Sequence, residues 1–346
     1  MKIFRSIFRS RAAYAGIAVG VTIFATVIAW QGVDDVVDAF SRAGWSIVAI
    51  TLLHLPPLWA DAMGWRRLIL SEKRPLRRTM LWGRWIGESI NDLLPVFQMG
   101  GNVVKAWILL GRGVRVGLAG ASVVVDVTLV VLSQILFTVL GLCLIVPSLS
   151  RGEPLLVVIA GVGILAVLLS GFYFVQRRGF FSIIVHISKR FASGPQWTSV
   201  SHGAATIDAE VLRLYADHRA LTSSGCWHFL SWFLGIGEVW LALRLLGHPV
   251  DVGTALLFES LGQAIRTGAF AVPGALGIQE GGYVLVGSLL GIEPGVALAL
   301  SLARRVRELL LGLPGLLAWQ ISSLHRSMRN ESTDSAIPPS APEGTL

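Results

Sequence analysis

The sequence predicts an all-α polytopic integral membrane protein. It reads as about six full spans plus two broken segments that enter the bilayer from opposite faces and return. Three observations carry this. Only 14% of the residues are charged, against about 25% in an average soluble domain, while 53% are hydrophobic and the mean hydropathy is +0.67. Apolar stretches at 12–30, 45–65, 118–146, 155–175, 221–246 and 296–319 approach or exceed the roughly 20 residues that cross a bilayer. Finally, Lys and Arg fall asymmetrically among the connections.

That asymmetry orients the chain. Lys2, Arg5, Arg9 and Arg11 precede the first span, Lys73, Arg74, Arg77 and Arg78 follow the second, and Arg112 and Arg115 precede the third. Arg177, Arg178, Lys189 and Arg190 follow the fourth span, and Arg326 and Arg329 follow the last. The connections at 247–253 and 291–295 carry no Lys or Arg, and 148–153 carries only Arg151. By the positive-inside rule both termini are expected in the cytoplasm. The net charge of +8 is thus spread over short loops and forms no nucleic-acid patch. The basic leader and long apolar core at the N-terminus, without a small-residue cleavage site, read as an uncleaved signal anchor.

Two segments do not fit as simple crossings. Residues 79–110 lie between two basic connections, and Pro95, Gly100 and Gly101 break them in the middle. Residues 252–290 lie between the two connections free of Lys and Arg, and Pro273, Gly274, Gly277, Gly281 and Gly282 break them. The resulting pieces, down to about 10 residues, are too short to span at 1.5 Å per residue. Each segment is therefore expected to be a re-entrant helical hairpin, the first from the cytoplasmic side and the second from outside. An eight-span count, with both segments crossing fully, is the alternative. Oppositely entering broken elements suggest an inverted repeat. At residue level it is weak: PVFQMGGNVVKAW and PGALGIQEGGYVL share a proline, a Gly-Gly pair and a Gln at non-identical spacings.

The domain plan is a membrane-embedded unit over 1–324, with a cytoplasmic amphipathic segment at 177–220 lying near the headgroups, and a disordered cytoplasmic tail over 325–346. An external turn of helix is expected at 33–40. Its DDVVD run, Asp34 to Asp38, matches the diphosphate-chelating DDxxD pattern, but one copy in a connector reads as a solvated face. Cys143 and Cys226 lie within spans and suggest neither a disulfide nor a zinc site. Gly16 and Gly20 form one GxxxG notch.

Charge at bilayer depth is expensive, so the intramembrane ionisable residues are the candidate site. Arg84, Glu88 and Asp92 recur every fourth residue on one helical face, with Gln98 at the break and Lys105 after the glycines. Glu259 and Arg266 share a face with Gln263, and Gln279 with Glu280 stands at the second break. Arg304, Arg305, Arg307 and Glu308 interrupt the last span, where four charges cannot face lipid. Asp126 joins the candidates, whereas Asp61, Glu238 and Arg244 stand more alone, and His54 reads as a neighbour of the Pro56–Pro57 kink. Together these groups are expected to line a polar cavity near the midplane. Mutual neutralisation as structural pairs is the plainer reading of any one of them. Arginine with half-helix N-termini suits an anionic or zwitterionic headgroup.

LLPVFQMGGNVVKAWILLGRGV (93–114) with AGASVVVDVTLVVLSQILFTVLGL (119–142) resembles the flippase-like transmembrane region of the lysylphosphatidylglycerol synthase family. FAVPGALGIQEGGYVLVGSLLG (270–291) with ALALSLARRVRELLLGLPGLLAWQ (297–320) is similar to that family's C-terminal signature. These versions look most like the hopanoid-biosynthesis-associated HpnL subgroup, and the resemblance covers roughly 10–325. It implies a bacterial inner-membrane protein that handles lipids. Gly100, Gly101, Lys105, Asp126, Pro273, Gly274, Gly277, Glu280 and Gly281 match its signatures by position.

The expected function is a lipid transporter or flippase-like protein that moves or partitions a hopanoid or phospholipid between leaflets or membranes. The soluble aminoacyltransferase domain of the full synthases is not seen, so no lysyl transfer and no enzyme activity are expected. No cofactor, metal or nucleic-acid partner is indicated. Two alternatives are a membrane-embedded lipid-modifying enzyme, with Glu280 or Asp126 as its catalytic group, and a non-catalytic accessory that recruits hopanoid-synthesis enzymes through 177–220.

Overall fold

A computed structural model describes residues 46–71, 74–94, 99–145, 196–268 and 277–334, with a few single positions between them. The span expected at 12–30, most of 155–175, the GxxxG notch, the DDVVD run and residues 335–346 lie outside the described residues. So do Pro95, Gln98, Pro273 and Gly274. Among the described residues the regular structure is entirely helical.

Helix α1 (Ser46–Leu53) and helix α2 (Leu55–Arg67) form one interrupted span, with His54 at the junction. Prolines in the first turn of α2 have no N–H to give an upstream carbonyl, so the ladder breaks there. His54 nevertheless keeps right-handed helical dihedrals, φ −77° and ψ −19°, so the helical path continues through the junction. Helix α3 (Arg77–Leu93) stops at Leu94, which is extended, the conformation favoured before a proline. Helix α4 (Gly100–Leu110) then packs along α3. Gly101 permits this: a Cβ there would overlap the carbonyl of Gly87, and Asn91 Oδ1 accepts the Gly101 N–H at 2.8 Å. The Gly-Gly pair is thus a close-approach site as well as a break.

Helix α5 (Val116–Ile145) is followed, after the undescribed stretch, by α6 (Gln196–Ala216), α7 (His218–Leu245), α8 (Val252–Gly268), α9 (Ile278–Leu289) and α10 (Pro294–Asp334). Asp217 caps α7 by accepting the Ala220 N–H at 2.9 Å. Helices α8 and α9 form the second hairpin. Gly277, at φ +77°, supplies a turn that a side chain would strain, and Gly262 leaves room for the Tyr283 ring.

The repeat that was faint in the sequence is clear in the packing. Both hairpins pair a 17-residue helix with a shorter one, of 11 residues in α4 and 12 in α9. In the first half α2 packs on α3, α3 on α4 and α4 on α5. In the second half α7 packs on α8, α8 on α9 and α9 on α10. The halves interlock through α2 with α7, α5 with α8, and α10 with α3. The largest apolar cluster joins Phe137, Val239, Phe258, Tyr283 and Leu300 from α5, α7, α8, α9 and α10. A second joins Trp65, Met80, Leu109 and Leu118 from α2 to α5. A third seats Val211, Leu214 and Tyr215 of α6 against Ala121 and Val125 of α5.

That last cluster places part of the segment expected at 177–220 against the bundle. The described part, α6, docks on the bundle, because Gly117 and Gly120 give α5 a flat strip for Thr206 and Ile207. The remainder, up to 195, lies outside the described residues apart from Arg178. Helix α10 runs to Asp334.

Among the described residues, three helical segments are long and apolar enough to cross a membrane: Ile47–Arg67, Val116–Cys143 and His218–Leu245. Helix α10 is not among them because of its central charges, yet these turn inward. Arg304, Arg307 and Glu308 are buried, while Leu310, Leu313, Leu317 and Ile321 are exposed on its other side.

Candidate functional site

The inward-facing charges of α2 to α5 and α7 to α10 form one connected set. Lys105 Nζ on α4 donates to Asp126 Oδ2 on α5 at 2.6 Å and stands 4.9 Å from the Trp65 ring centre. Asp126 is also approached by Arg84 of α3, at 3.7 Å, and by His228 Nε2 of α7, at 3.1 Å but off hydrogen-bond alignment. The other His228 nitrogen meets Asp61 Oδ1 of α2 at 2.8 Å, and Arg84 donates to Asp61 Oδ2 at 2.8 Å.

Glu88, one turn along α3, leads into the other half. Arg84 Nε lies 4.0 Å from its Oε2, and His54 Nε2 is 2.7 Å from its Oε1. His54 Nδ1 in turn lies 3.1 Å from Glu238 Oε2 on α7 and 3.0 Å from Arg307 Nη1 on α10. Arg307 donates to Glu238, and Arg304 donates to Glu259 on α8, whose Oε1 accepts from Gln263 at 3.0 Å. Arg266 donates to Asp92 at 2.8 Å and lies 3.0 Å from Glu308. Arg305 donates to Glu308 at 3.2 Å and to Glu280 Oε1 at 3.1 Å, and Glu280 Oε2 accepts the Gly277 N–H at 2.7 Å.

Eight carboxylates (Asp61, Glu88, Asp92, Asp126, Glu238, Glu259, Glu280, Glu308) face six fixed cations (Arg84, Lys105, Arg266, Arg304, Arg305, Arg307) and two histidines. Burying an isolated ion costs several kcal/mol after relaxation, so pairing is what makes such a set tolerable in apolar surroundings. The pairing is nonetheless incomplete. Among the described residues, Arg304 Nη1 and Arg305 Nη2 are buried donors without a hydrogen-bond partner.

The arrangement can do two things. It can hold an anion, because Glu280 occupies the N-terminus of α9 and the Arg305 fork, the place an outside phosphate or carboxylate would take. It can also relocate charge between partners, since most members touch more than one. In this conformation it is closed. The void bordered by His54, Glu88, Asp92, Arg307 and Glu308 is about 10 Å³, room for about one water. The residues expected to line a polar cavity are here packed as a set of ion pairs. A wider cleft of about 470 Å³, lined by Arg78, Thr79, Trp82, Arg112 and Ser322, lies at the start of α3. Among the described residues no cluster of His, Cys, Asp or Glu is arranged to hold a metal ion.

Of the residues expected to form the site, Arg84, Glu88, Asp92, Lys105, Asp126, Glu259, Arg266, Glu280, Arg304, Arg305 and Glu308 belong to the network. Gln279 stands beside it, donating to Ser301 at 3.3 Å. Asp61 and Glu238, which stood alone in the sequence, are bridging members, and so are His54 and His228. Arg244 stays apart, its guanidinium 5.4 Å from the Trp240 ring centre. The signal for the missed residues was their solitude: each is an ionisable group within an apolar helix, where charge needs a partner.

An all-α bundle with membrane-length apolar helices, an outward apolar surface and its charges turned inward defines an integral membrane protein. The family model "Lysylphosphatidylglycerol synthase TM region" matches residues 17–315, and the chain belongs to that family. This ties it to membrane lipids. No curated protein and no solved structure matches the chain.

Proposed function

We propose that the protein is a lipid transporter that moves or partitions a hopanoid or phospholipid between leaflets or membranes, in association with hopanoid-lipid biosynthesis. The observation that carries this reading is the charge network itself. A structural scaffold needs paired charges at most, whereas this network leaves arginine donors unpaired among the described residues, beside a carboxylate seated on a half-helix N-terminus. A headgroup phosphate competes for Arg305 and the α9 amides, displaces Glu280, and separates the hairpins as it passes, while the apolar body stays in lipid. The cleft at Arg78 and Arg112 suits a headgroup waiting on the basic, cytoplasmic side. The Lys and Arg distribution supports an inner-membrane protein with both termini in the cytoplasm, and hairpins entering from opposite faces.

The test reconstitutes the protein in phospholipid vesicles with fluorescent phosphatidylglycerol, phosphatidylethanolamine or a fluorescent hopanoid. Loss of probe from one leaflet is followed against protein-free vesicles. Faster loss for at least one probe is the expected result. Equal rates for every probe sink the transport reading and favour the accessory and enzyme alternatives.

A further inference from the structure

We infer that this transport is driven by protons, with His54 as the proton-carrying group and His228 as a second site behind it. The inference rests on the transport reading above and adds its energy source.

The argument starts from hydrogen-bond valence. A neutral imidazole donates from one ring nitrogen and accepts at the other, whereas the imidazolium donates from both. Both nitrogens of His54 face carboxylate oxygens, Glu88 at 2.7 Å and Glu238 at 3.1 Å. Two acceptors on one ring require a proton more than the neutral form carries. Nδ1, however, also lies 3.0 Å from Arg307 Nη1, a group that only donates. Two states follow. With the ring protonated, Nδ1–H is given to Glu238, and Arg307 keeps only the other oxygen of Glu238. With the ring neutral, Nε2–H stays with Glu88, and the bare Nδ1 accepts from Arg307. One proton therefore decides whether the α1–α2 junction is tied to α7 or to α10, the two elements that bracket the second hairpin.

Three further observations agree. Carboxylates in the network outnumber its lysine and arginines by two, so full neutrality needs two protons, and the network holds two histidines. His228 lies between two further carboxylates, hydrogen-bonded to Asp61 at 2.8 Å and 3.1 Å from Asp126 without alignment, and Arg84 and Lys105 also hold these carboxylates. Access differs between them. His54 borders the water-sized void with Glu88, Asp92, Arg307 and Glu308, whereas His228 is fully buried. The chain Glu88–Arg84–Asp61 links the two. The proton taken up at His54 leaves to water on the other side, so proton and headgroup cross in one cycle.

The test uses proteoliposomes of phosphatidylethanolamine and phosphatidylglycerol carrying fluorescent phosphatidylglycerol. Potassium and valinomycin clamp the potential, and a pH difference of about one unit is imposed. The readout is the final distribution of probe between leaflets. One proton per lipid shifts that ratio about tenfold at equilibrium, and reversing the gradient reverses the shift. His54→Gln should lose the tenfold shift whichever way the gradient points, and the wild-type ratio decides coupling whether or not the variant still moves probe. A wild-type ratio near unity, reached faster than in protein-free vesicles, overturns proton coupling while transport stands. No equilibration above protein-free vesicles overturns both. Should His54→Gln not fold, the wild-type ratio alone decides.

Discussion

Lys105 and Asp126 meet at 2.6 Å, 3% and 0% exposed, and join the short helix of the first hairpin to the span that follows it. Arg305 and Glu280 make the same connection in the second hairpin with the signs exchanged, at 3.1 Å. The two halves thus share a packing plan and carry opposite charge at equivalent places, while ion pairs between the halves join Asp92 to Arg266 and Asp61 to His228. Lys105→Met leaves Asp126 with only Arg84 and His228. The expected loss is about 3 kcal/mol, the low end for breaking a buried pair. Thermal unfolding in detergent micelles reads it; an unchanged midpoint means the pair contributes nothing.

Glu280 has two duties that substitution can separate. Glu280→Gln keeps an oxygen for the Gly277 N–H, whereas Glu280→Ala loses that cap as well as the Arg305 contact. Removing such a cap costs about 1 kcal/mol. Glu280→Ala should therefore unfold at a lower temperature than Glu280→Gln, and equal midpoints would show that the cap is idle.

Gly101 and Gly281 should respond oppositely to alanine. At Gly101 the new Cβ overlaps the backbone of Gly87, so the first hairpin must open, at a cost of about 3 kcal/mol. At Gly281, on α9, nothing lies within 4 Å of the added carbon, and alanine gains roughly 0.5–1 kcal/mol of helix propensity. A denaturation series on both variants decides the matter; matching losses would contradict the close-approach account.

How much of this was legible follows the same physics. The hairpins could be read because prolines and glycines cluster where the helices stop and restart, with Leu94 before Pro95 and Gly277 ahead of α9, although Gly281 and Gly282 fall inside α9. Arg84, Glu88 and Asp92 could be read because helical periodicity puts them on one face. His54, Asp61, His228 and Glu238 could not be assembled, since each lies far along the chain from its partners: His54 meets Glu238 across 184 positions and His228 meets Asp61 across 167. The docking of α6 was hidden for a related reason. Its amphipathic pattern does not name the surface it packs on, and Gly117 and Gly120, which admit Thr206 and Ile207, lie on another helix.

Asp251 offers a pH test outside the spans. Hydrogen bonds from the Thr254 hydroxyl and N–H, and from the Gly253 N–H, hold its carboxyl below the usual range. A lowered value means its contribution is complete above the unfolded-state pKa and fades as pH falls through the folded one. The difference in melting temperature between wild type and Asp251→Ala should be present at neutral pH and close in acid. A gap that widens on acidification would reverse the assignment.

The most direct measurement of the central claim is the initial rate of fluorescent lipid loss from the outer leaflet of proteoliposomes. Wild type is compared with Arg305→Ala, inside the network, and with Leu317→Ala on the exposed side of α10. The account predicts that wild type and Leu317→Ala exceed protein-free vesicles, and that Arg305→Ala falls about tenfold, as a barrier higher by about 1.4 kcal/mol would give. A wild-type rate equal to that of protein-free vesicles, or an Arg305→Ala rate equal to wild type, would contradict it.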